Sequence, residues 1–402
     1  MITASMRHGS AGDAVDGVVP RQIVEPADAN ELASTLQAAS RDKQITVLRG
    51  GGTKLGWGRP AAAIDLVVST AKLNTLLVHR HGDMTATVHA GVSLAQFNRE
   101  LARYGQWLPI DSAFDAATIG GIVATNDSGP VRHRYGTPRD LLIGVTLALT
   151  DGRIVKAGGH VVKNVAGYDL GKLASGSFGT LAAIVDATFK LLPIPQASAT
   201  LDSSYDDGEV LARDVMQVST SQLEPMAFDV MLDGGQYRLR LLFASSPEAV
   251  SAQIESAQRL LSKPSTVVTG DPEMDLWTDQ VRSPWAGTGA VIRFGWLPAK
   301  LEEITTLMHD VQQIAGSIVM CGRVGVGAGL MRVDGDVRAQ AAVVERLRSS
   351  VWVGNVAVLR ASPDLKQHVD VWGPASSAAD AVRALKGMFD PAGILNAGRG
   401  PI

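Results

Sequence analysis

Three glycine-bearing stretches hold residue types that could grip a ligand through the backbone. The first is Arg49-Gly50-Gly51-Gly52-Thr53-Lys54-Leu55-Gly56-Trp57-Gly58. Three consecutive glycines remove every Cβ, so backbone N–H groups can converge on an anion and a phosphate can approach closely. No amphipathic helix follows, so the stretch reads as a nest of amides, with a flexible turn as the plain alternative. The second is Ala117-Thr118-Ile119-Gly120-Gly121-Ile122-Val123-Ala124-Thr125-Asn126-Asp127-Ser128-Gly129-Pro130. Its glycine pair lets the backbone lie against a planar ligand or, equally, lets a helix lie against a sheet. The third is Lys163-Asn164-Val165-Ala166-Gly167-Tyr168-Asp169-Leu170, followed by Gly176-Ser177-Phe178-Gly179-Thr180-Leu181. Taken alone, its polar and small residues also fit a surface loop.

Other chemistries lack their residues. The 402-residue chain has one cysteine, Cys321. It cannot form an internal disulfide, a thiolate-held iron–sulfur cluster or a Cys-rich zinc site. A small buried hydrophobe is its expected role. Any redox centre must then be an organic cofactor. The eight histidines show no H-E-x-x-H, and no serine sits in G-x-S-x-G. His79 and His81 would share a strand face as a satisfied surface pair, not a metal site. Neither G-x-G-x-x-G nor G-x-x-x-x-G-K-[ST] occurs, which removes the main support for a Rossmann or P-loop site. The net charge of −3 excludes the broad positive field that nucleic acid or an anionic membrane attracts. No apolar run is long enough to span a bilayer.

These stretches need elements to hold them. Residues 1–19 read as a flexible arm without a secretory signal. A helix starts near Glu25-Pro26-Ala27-Asp28, with Pro26 in its first turn and Leu32, Leu36 and Ala39 on one face. Ile45 to Leu48 is a buried strand. Residues 76–90 form two strands around His81-Gly82-Asp83, and Ser93 caps a helix bearing Leu94, Phe97 and Leu101. Strands follow at 141–149 and 181–192. After residue 200 glycine thins. Helical periods near 208–219, 247–262, 299–314 and 336–349 alternate with apolar strands near 227–232, 237–244, 290–296, 317–320 and 352–359. That pattern predicts an antiparallel sheet with helices on one face, of the split β-α-β kind and twice over.

Together, in this order, the three stretches resemble the FAD-binding domain of the vanillyl-alcohol oxidase superfamily. More narrowly they resemble the bacterial glycolate oxidase flavoproteins. Ser128-Gly129-Pro130, Arg132, Arg134, Tyr135-Gly136 and Arg139-Asp140 are most similar to the smaller FAD-binding subunit of that family. Lys386-Gly387-Met388-Phe389-Asp390-Pro391-Ala392-Gly393-Ile394-Leu395-Asn396 resembles the superfamily's closing signature. The resemblance covers about residues 20–195 and 380–400. It implies a PCMH-type FAD-binding domain over 20–195 and a segment over 375–402 that returns to it; with the strand and helix pattern of the middle, the expected α+β protein also has a ferredoxin-like α+β cap or partner-docking domain over 200–370.

Position by position, the resemblance implies that Arg49, Gly50, Gly51, Gly52, Thr53 and Lys54 hold the FAD pyrophosphate. Pro109 and the run Thr118, Ile119, Gly120 and Gly121 would line the stretch from phosphate to flavin, with Ser128 and Gly129 beyond it. Ile184 would sit near the adenine, and Tyr168 and Asp169 toward the flavin. Superfamily members that bind FAD covalently through His carry it where this chain has Thr53, so FAD is expected to be non-covalent. Catalytic relatives carry a cap motif like Gly-His-x-Gly-Asp-Gly-Asn-x-His whose histidines help hold a metal. The nearest match is Gly322-Arg323-Val324-Gly325-Val326-Gly327-Ala328-Gly329-Leu330. Arg, Val, Ala and Leu at the ligand positions cannot build a metal site, so none is expected.

The expectation is therefore an electron-transfer or structural FAD subunit of a complex that oxidises glycolate to glyoxylate. Its partners would be a second, catalytic FAD subunit and an iron–sulfur subunit. The location would be cytoplasmic, or peripheral on the inner face of the cytoplasmic membrane through those partners. The alternative is a self-sufficient FAD-dependent 2-hydroxyacid dehydrogenase in which Arg323 pairs with the substrate carboxylate. A scaffold that has lost FAD is a third reading, opposed by the intact glycines.

Overall fold

Short β-branched runs build the first sheet of the computed structural model, which describes residues 5–160 and 168–400. Gln22–Glu25, Leu66–Ser69 and Thr46–Arg49 lie side by side, all parallel. Their side chains are buried on both faces, as parallel strands require. Val24, Leu66 and Val68 face a cluster with Leu32 and Leu36 of helix Ala29–Arg41. Ile23, Val47 and Val67 face a second cluster with Val15, Ala61 and Ile64. The helix begins one residue after Asp28, whose carboxylate accepts from the N–H groups of Asn30 and Glu31. Pro26 therefore precedes the cap instead of sitting in the first turn.

The second sheet is antiparallel, in the order Leu76–Arg80, Thr85–His89, Ala183–Lys190, Leu142–Ala148, Ile154–Gly158. One face packs on helices Leu94–Ala102 and Ile119–Thr125. The other gives Ala148, Ala183 and Val185 to the cluster it shares with the first sheet. The closing segment joins the same cluster through Ile394 and Leu395. Thr46 N–H donates to Ile394 O at 2.9 Å, and Asn396 N–H to Thr46 O at 2.8 Å, so the chain end extends the edge of the parallel sheet.

The arm expected over 1–19 is instead structured from Ser5 onward. Ser5–His8 pairs antiparallel with Gln22–Glu25. Buried Asp13 takes both guanidinium nitrogens of Arg7 at 2.7 Å and Arg49 Nη1 at 2.8 Å. This polar anchoring leaves no apolar periodicity in the sequence.

The chain divides into two units, Met1–Ser128 with Gly136–Ile194 and Pro374–Ile402, and Gly129–Tyr135 with Pro195–Gly373. In the second unit, eight antiparallel strands form one sheet. Its first half runs Ser265–Val268, Ala197–Tyr205, Gln236–Ser245, Ala227–Asp233, and its second Ile318–Arg323, Ala328–Val333, Ala290–Trp296, Val353–Arg360. Each half is a β-α-β-β-α-β unit. Helices Gly208–Ser219, Pro247–Leu260, Leu301–Ala315 and Val337–Ser349 supply the apolar side of one core. The doubled ferredoxin-like pattern follows. The sequence reading lacked strands Ala197–Tyr205, Ser265–Val268 and Ala328–Val333 and helix Asp271–Arg282.

Candidate functional site

The glycine-rich loop after strand Thr46–Arg49 forms one wall of a cleft in the first unit. The cleft is also lined by the start of helix Ile119–Thr125, residues 178–184 and the chain end. Trp57 and Phe178, with ring centroids 6.4 Å apart, add an aromatic side. Among the described residues, the backbone N–H groups of Gly50, Gly51, Gly52 and Thr53 donate to no protein acceptor. Four successive free donors at a cleft wall suit a phosphate-bearing ligand.

The glycines are needed for different reasons. A Cβ on Gly51 would lie 1.8 Å from Ala116 O, and one on Gly50 2.1 Å from Thr118 Oγ1. One on Gly120 would meet Ala90 Cβ at 2.8 Å. At these three positions the close neighbour is protein backbone or side chain, not open cleft. The loop can thus lie flat on residues 116–118, and the helix start on the sheet. Gly52 differs: its φ of +73° is what excludes other residues. Gly121 meets only Thr118 Oγ1, at 3.4 Å. Thr118 caps the helix, its hydroxyl accepting from Gly121 N–H.

Charge in the loop is balanced internally. Arg49 is paired with Asp13, and the two guanidinium groups of Arg7 and then Arg49, with the Ser10 hydroxyl, hold the Asp13 carboxyl far below the usual carboxylate range. Lys54 Nζ lies 3.1 Å from Asp127 Oδ2 and about equally far from the Trp57 and Phe114 ring centroids, at 5.7 and 5.5 Å. The loop therefore offers an anion backbone amides more than free cations.

The chain end closes the cleft. Arg399, only 6% exposed, donates to the carbonyls of Leu55, Trp57 and Arg59. Burial pushes its guanidinium pKa down. Arg59 returns a bond to Gly400 O at 2.5 Å. Asn396 Nδ2 donates to Phe178 O at 2.6 Å, while its Oδ1 is buried with no partner among the described residues. FAD fits this donor set: it carries a pyrophosphate for the free amides and N–H and O–H groups for a buried acceptor.

Of the residues singled out in the sequence, Arg49, Gly50, Gly51, Gly52, Thr53, Lys54, Thr118, Gly120, Gly121 and Ile184 line the cleft. Six do not. Ile119 and Pro109 are buried in the protein. Ser128 ends a segment of the first unit, and Gly129 belongs to the second. Tyr168 is 91% exposed. Asp169 caps the short helix Leu170–Ala174, accepting from Lys172 N–H and pairing with Lys172 Nζ. Lys163 to Gly167 lie outside the described residues. The sequence reading did not select Trp57, Phe178, Asn396 or Arg399. Phe178 and Asn396 stood inside quoted signatures, whereas Arg399 carried no local signal.

In the second unit, residues 322–330 form the turn and flanks of a hairpin between Ile318–Arg323 and Ala328–Val333. Arg323 is buried, its Nε 3.9 Å from Oδ2 of fully buried Asp229. Gln280 Nε2 donates to the same carboxylate at 2.9 Å, and Arg240 Nη1 to Gln280 Oε1 at 2.7 Å. Cys321 sits in this layer, buried, its thiol pushed up to about 11 by desolvation. His133 packs edge-on against Phe228 at 5.6 Å, and burial lowers its pKa. His79 and His81 rest on Tyr104, with His79 Nε2 2.9 Å from Gln106 Oε1. Among the described residues, no group of three or more His, Cys, Asp or Glu could hold a metal, and no helix is long and apolar enough to cross a membrane.

Comparison with known proteins agrees with this geometry. Residues 20–158 match the family described as FAD binding domain. The chain is 27% identical to glycolate oxidase subunit GlcD of Bacillus subtilis, across 95% of this chain and 89% of that one. It is 34% identical to D-lactate dehydrogenase of Archaeoglobus fulgidus, across 52% of this chain and 47% of the relative. It is 30% identical to glycolate oxidase subunit GlcE of Escherichia coli, across 51% and 60%. These two alignments span about half to three-fifths of the relatives' length. Among solved structures, alkyldihydroxyacetonephosphate synthase shares the fold over 94% of this chain and 76% of its own, with a TM-score of 0.73 and 16% identity. FgChi7B does so over 99% and 97%, with a TM-score of 0.74 and 14% identity.

Proposed function

We propose that this chain, whose residues 20–158 match an FAD binding domain, serves a complex oxidising a 2-hydroxy acid, glycolate in the first instance. In this reading it is the FAD subunit that relays electrons or shapes the complex, beside a second, catalytic FAD subunit and an iron–sulfur subunit. Bound FAD supplies a two-electron acceptor that no side chain provides. The free amides of Gly50 to Thr53 would hold its pyrophosphate without a covalent link, and Thr118, Gly120, Gly121 and Ile184 would line its path.

The observation that carries the subunit role is the hairpin at 322–330. Arg323, Val326, Ala328 and Leu330 offer no metal ligand, and Arg323 is buried, with its Nε 3.9 Å from Oδ2 of buried Asp229. A guanidinium so placed is poorly available to a substrate carboxylate. With a single, buried cysteine this chain cannot hold a thiolate-ligated iron–sulfur cluster itself, so in this reading the cluster belongs to another subunit.

The second reading, a self-sufficient FAD-dependent 2-hydroxyacid dehydrogenase, is favoured by the near full-length match to the GlcD subunit. An anaerobic visible spectrum of the purified chain with glycolate, then with D-lactate, separates the two. A flavin band that stays oxidised supports the relay or structural subunit. A band that bleaches makes the chain an enzyme by itself.

A further inference from the structure

We propose that Asn396 reads the bound dinucleotide: its Oδ1 accepts a hydrogen bond from an N–H or O–H group of FAD. The inference rests on the FAD reading and deepens it. Asn396 lines the cleft and is 9% exposed. Its amide orientation is fixed, because Nδ2 donates to Phe178 O at 2.6 Å and only the nitrogen end can meet a carbonyl. The backbone is held too, with N–H on Thr46 O, the carbonyl on Arg399 N–H and a φ of +46°. A Cβ on Gly179 would come within 3.1 Å of Asn396 Nδ2, so that glycine makes room for the amide.

What remains is Oδ1, a buried acceptor with no partner among the described residues. Native proteins rarely leave such an atom unsatisfied. The same cleft is lined by the free amides of the glycine-rich loop, which call for an acceptor-rich phosphate. One ligand filling it must then offer acceptors to the loop and a donor to Asn396. A dinucleotide does so: its phosphates accept, while the adenine amino group, the ribose and ribityl hydroxyls and the flavin imide N–H donate. An inorganic polyphosphate offers only the first.

The test uses the full chain stripped of flavin and titrated with FAD, ADP and FMN by calorimetry, with thermal melting of each apoprotein in parallel. Asn396→Ala should raise the Kd for FAD about tenfold, the order expected for one hydrogen bond. Asn396→Asp keeps an acceptor but turns an oxygen toward Phe178 O. It should lower the apoprotein melting temperature at least as much as Asn396→Ala, yet hold the Kd within about threefold of wild type. A matching loss with ADP assigns the donor to the adenylate half, and a loss with FMN to the flavin half; either supports the proposal. A Kd for Asn396→Ala within twofold of wild type overturns it. So does an Asn396→Asp variant that loses as much affinity as Asn396→Ala, since the residue would then be only a tether for Phe178. Wild-type apoprotein that binds no FAD would overturn the FAD reading and this inference together.

Discussion

Two glycine-rich stretches of this chain look alike as strings and behave differently as structure. Residues 49–58 hold free backbone donors at the wall of a cleft. Residues 322–330 are a hairpin whose glycines admit aromatic rings: Cβ atoms on Gly322 and Gly329 would meet Trp296 and Phe294 at 3.0 and 2.9 Å. In both, some glycines are explained by protein neighbours and others, Gly52 and Gly327 among them, have a positive φ. What separates them is a run of four successive unspent amides at a cleft wall, whereas in the turn alternate amides are spent, Val324 N–H on Phe228 O and Val326 N–H on Arg323 O.

The comparison can be broken at several points. The largest effect should come from Gly51→Val, whose Cβ would sit 1.8 Å from Ala116 O. The loop must lift, and the flavin-to-protein absorbance ratio should fall to near zero. A variant retaining full flavin would remove the loop from the site. Gly327→Val is the matched control in the other stretch, with a φ of +61° and a Cβ 1.9 Å from Trp296 O. It should cost roughly 3 kcal/mol or more in chemical denaturation, while the folded fraction keeps its flavin. Loss of flavin per folded molecule would erase the distinction.

Next in size is Lys386→Met. It strips fully buried Asp390 of its 2.5 Å ion-pair partner and leaves the carbonyls of Thr180 and Leu395 without their donor. Breaking a buried pair from one side costs about 3–5 kcal/mol, read as an earlier urea midpoint.

A smaller effect belongs to Asp13, whose folded pKa is depressed by Arg7 and Arg49. Its stabilising contribution should be complete above the ordinary carboxylate range, about pH 5, and be lost as pH falls toward the folded value. Asp13→Asn should therefore lower stability at neutral pH and flatten the acid limb of the stability profile. An unchanged acid limb would show that the pair carries no linkage. Smallest is the thiol: Cys321 should resist a disulfide reagent at pH 8 in the native state and react fully in denaturant, as burial and a pKa near 11 require.

Much of the fold was readable because apolar residues recur at helical or strand spacing. Helices Gly208–Ser219 and Val337–Ser349 fall where the periodicity put them. Helix Asp271–Arg282 escaped because its buried positions are polar. Glu273 takes bonds from Ser198 and Thr200, and Gln280 bridges Arg240 and Asp229. Strand Ala197–Tyr205 hid in part for the same reason, with Thr200 and Ser203 buried among its apolar positions. At the cleft, the loop was legible because consecutive glycines are a local signal. Arg399 was not, since its work is on carbonyls some 340 residues earlier.

The return of the chain end to the edge beside Thr46 has a consequence for the order of events in synthesis. Thr46 emerges early, but the strand edge it offers is filled by Ile394 and Asn396. The cleft therefore gains Asn396 and Arg399 only after the whole second unit has been synthesised. A variant lacking residues 395–402 is expected to bind FAD more weakly than the full chain, which a flavin titration checks.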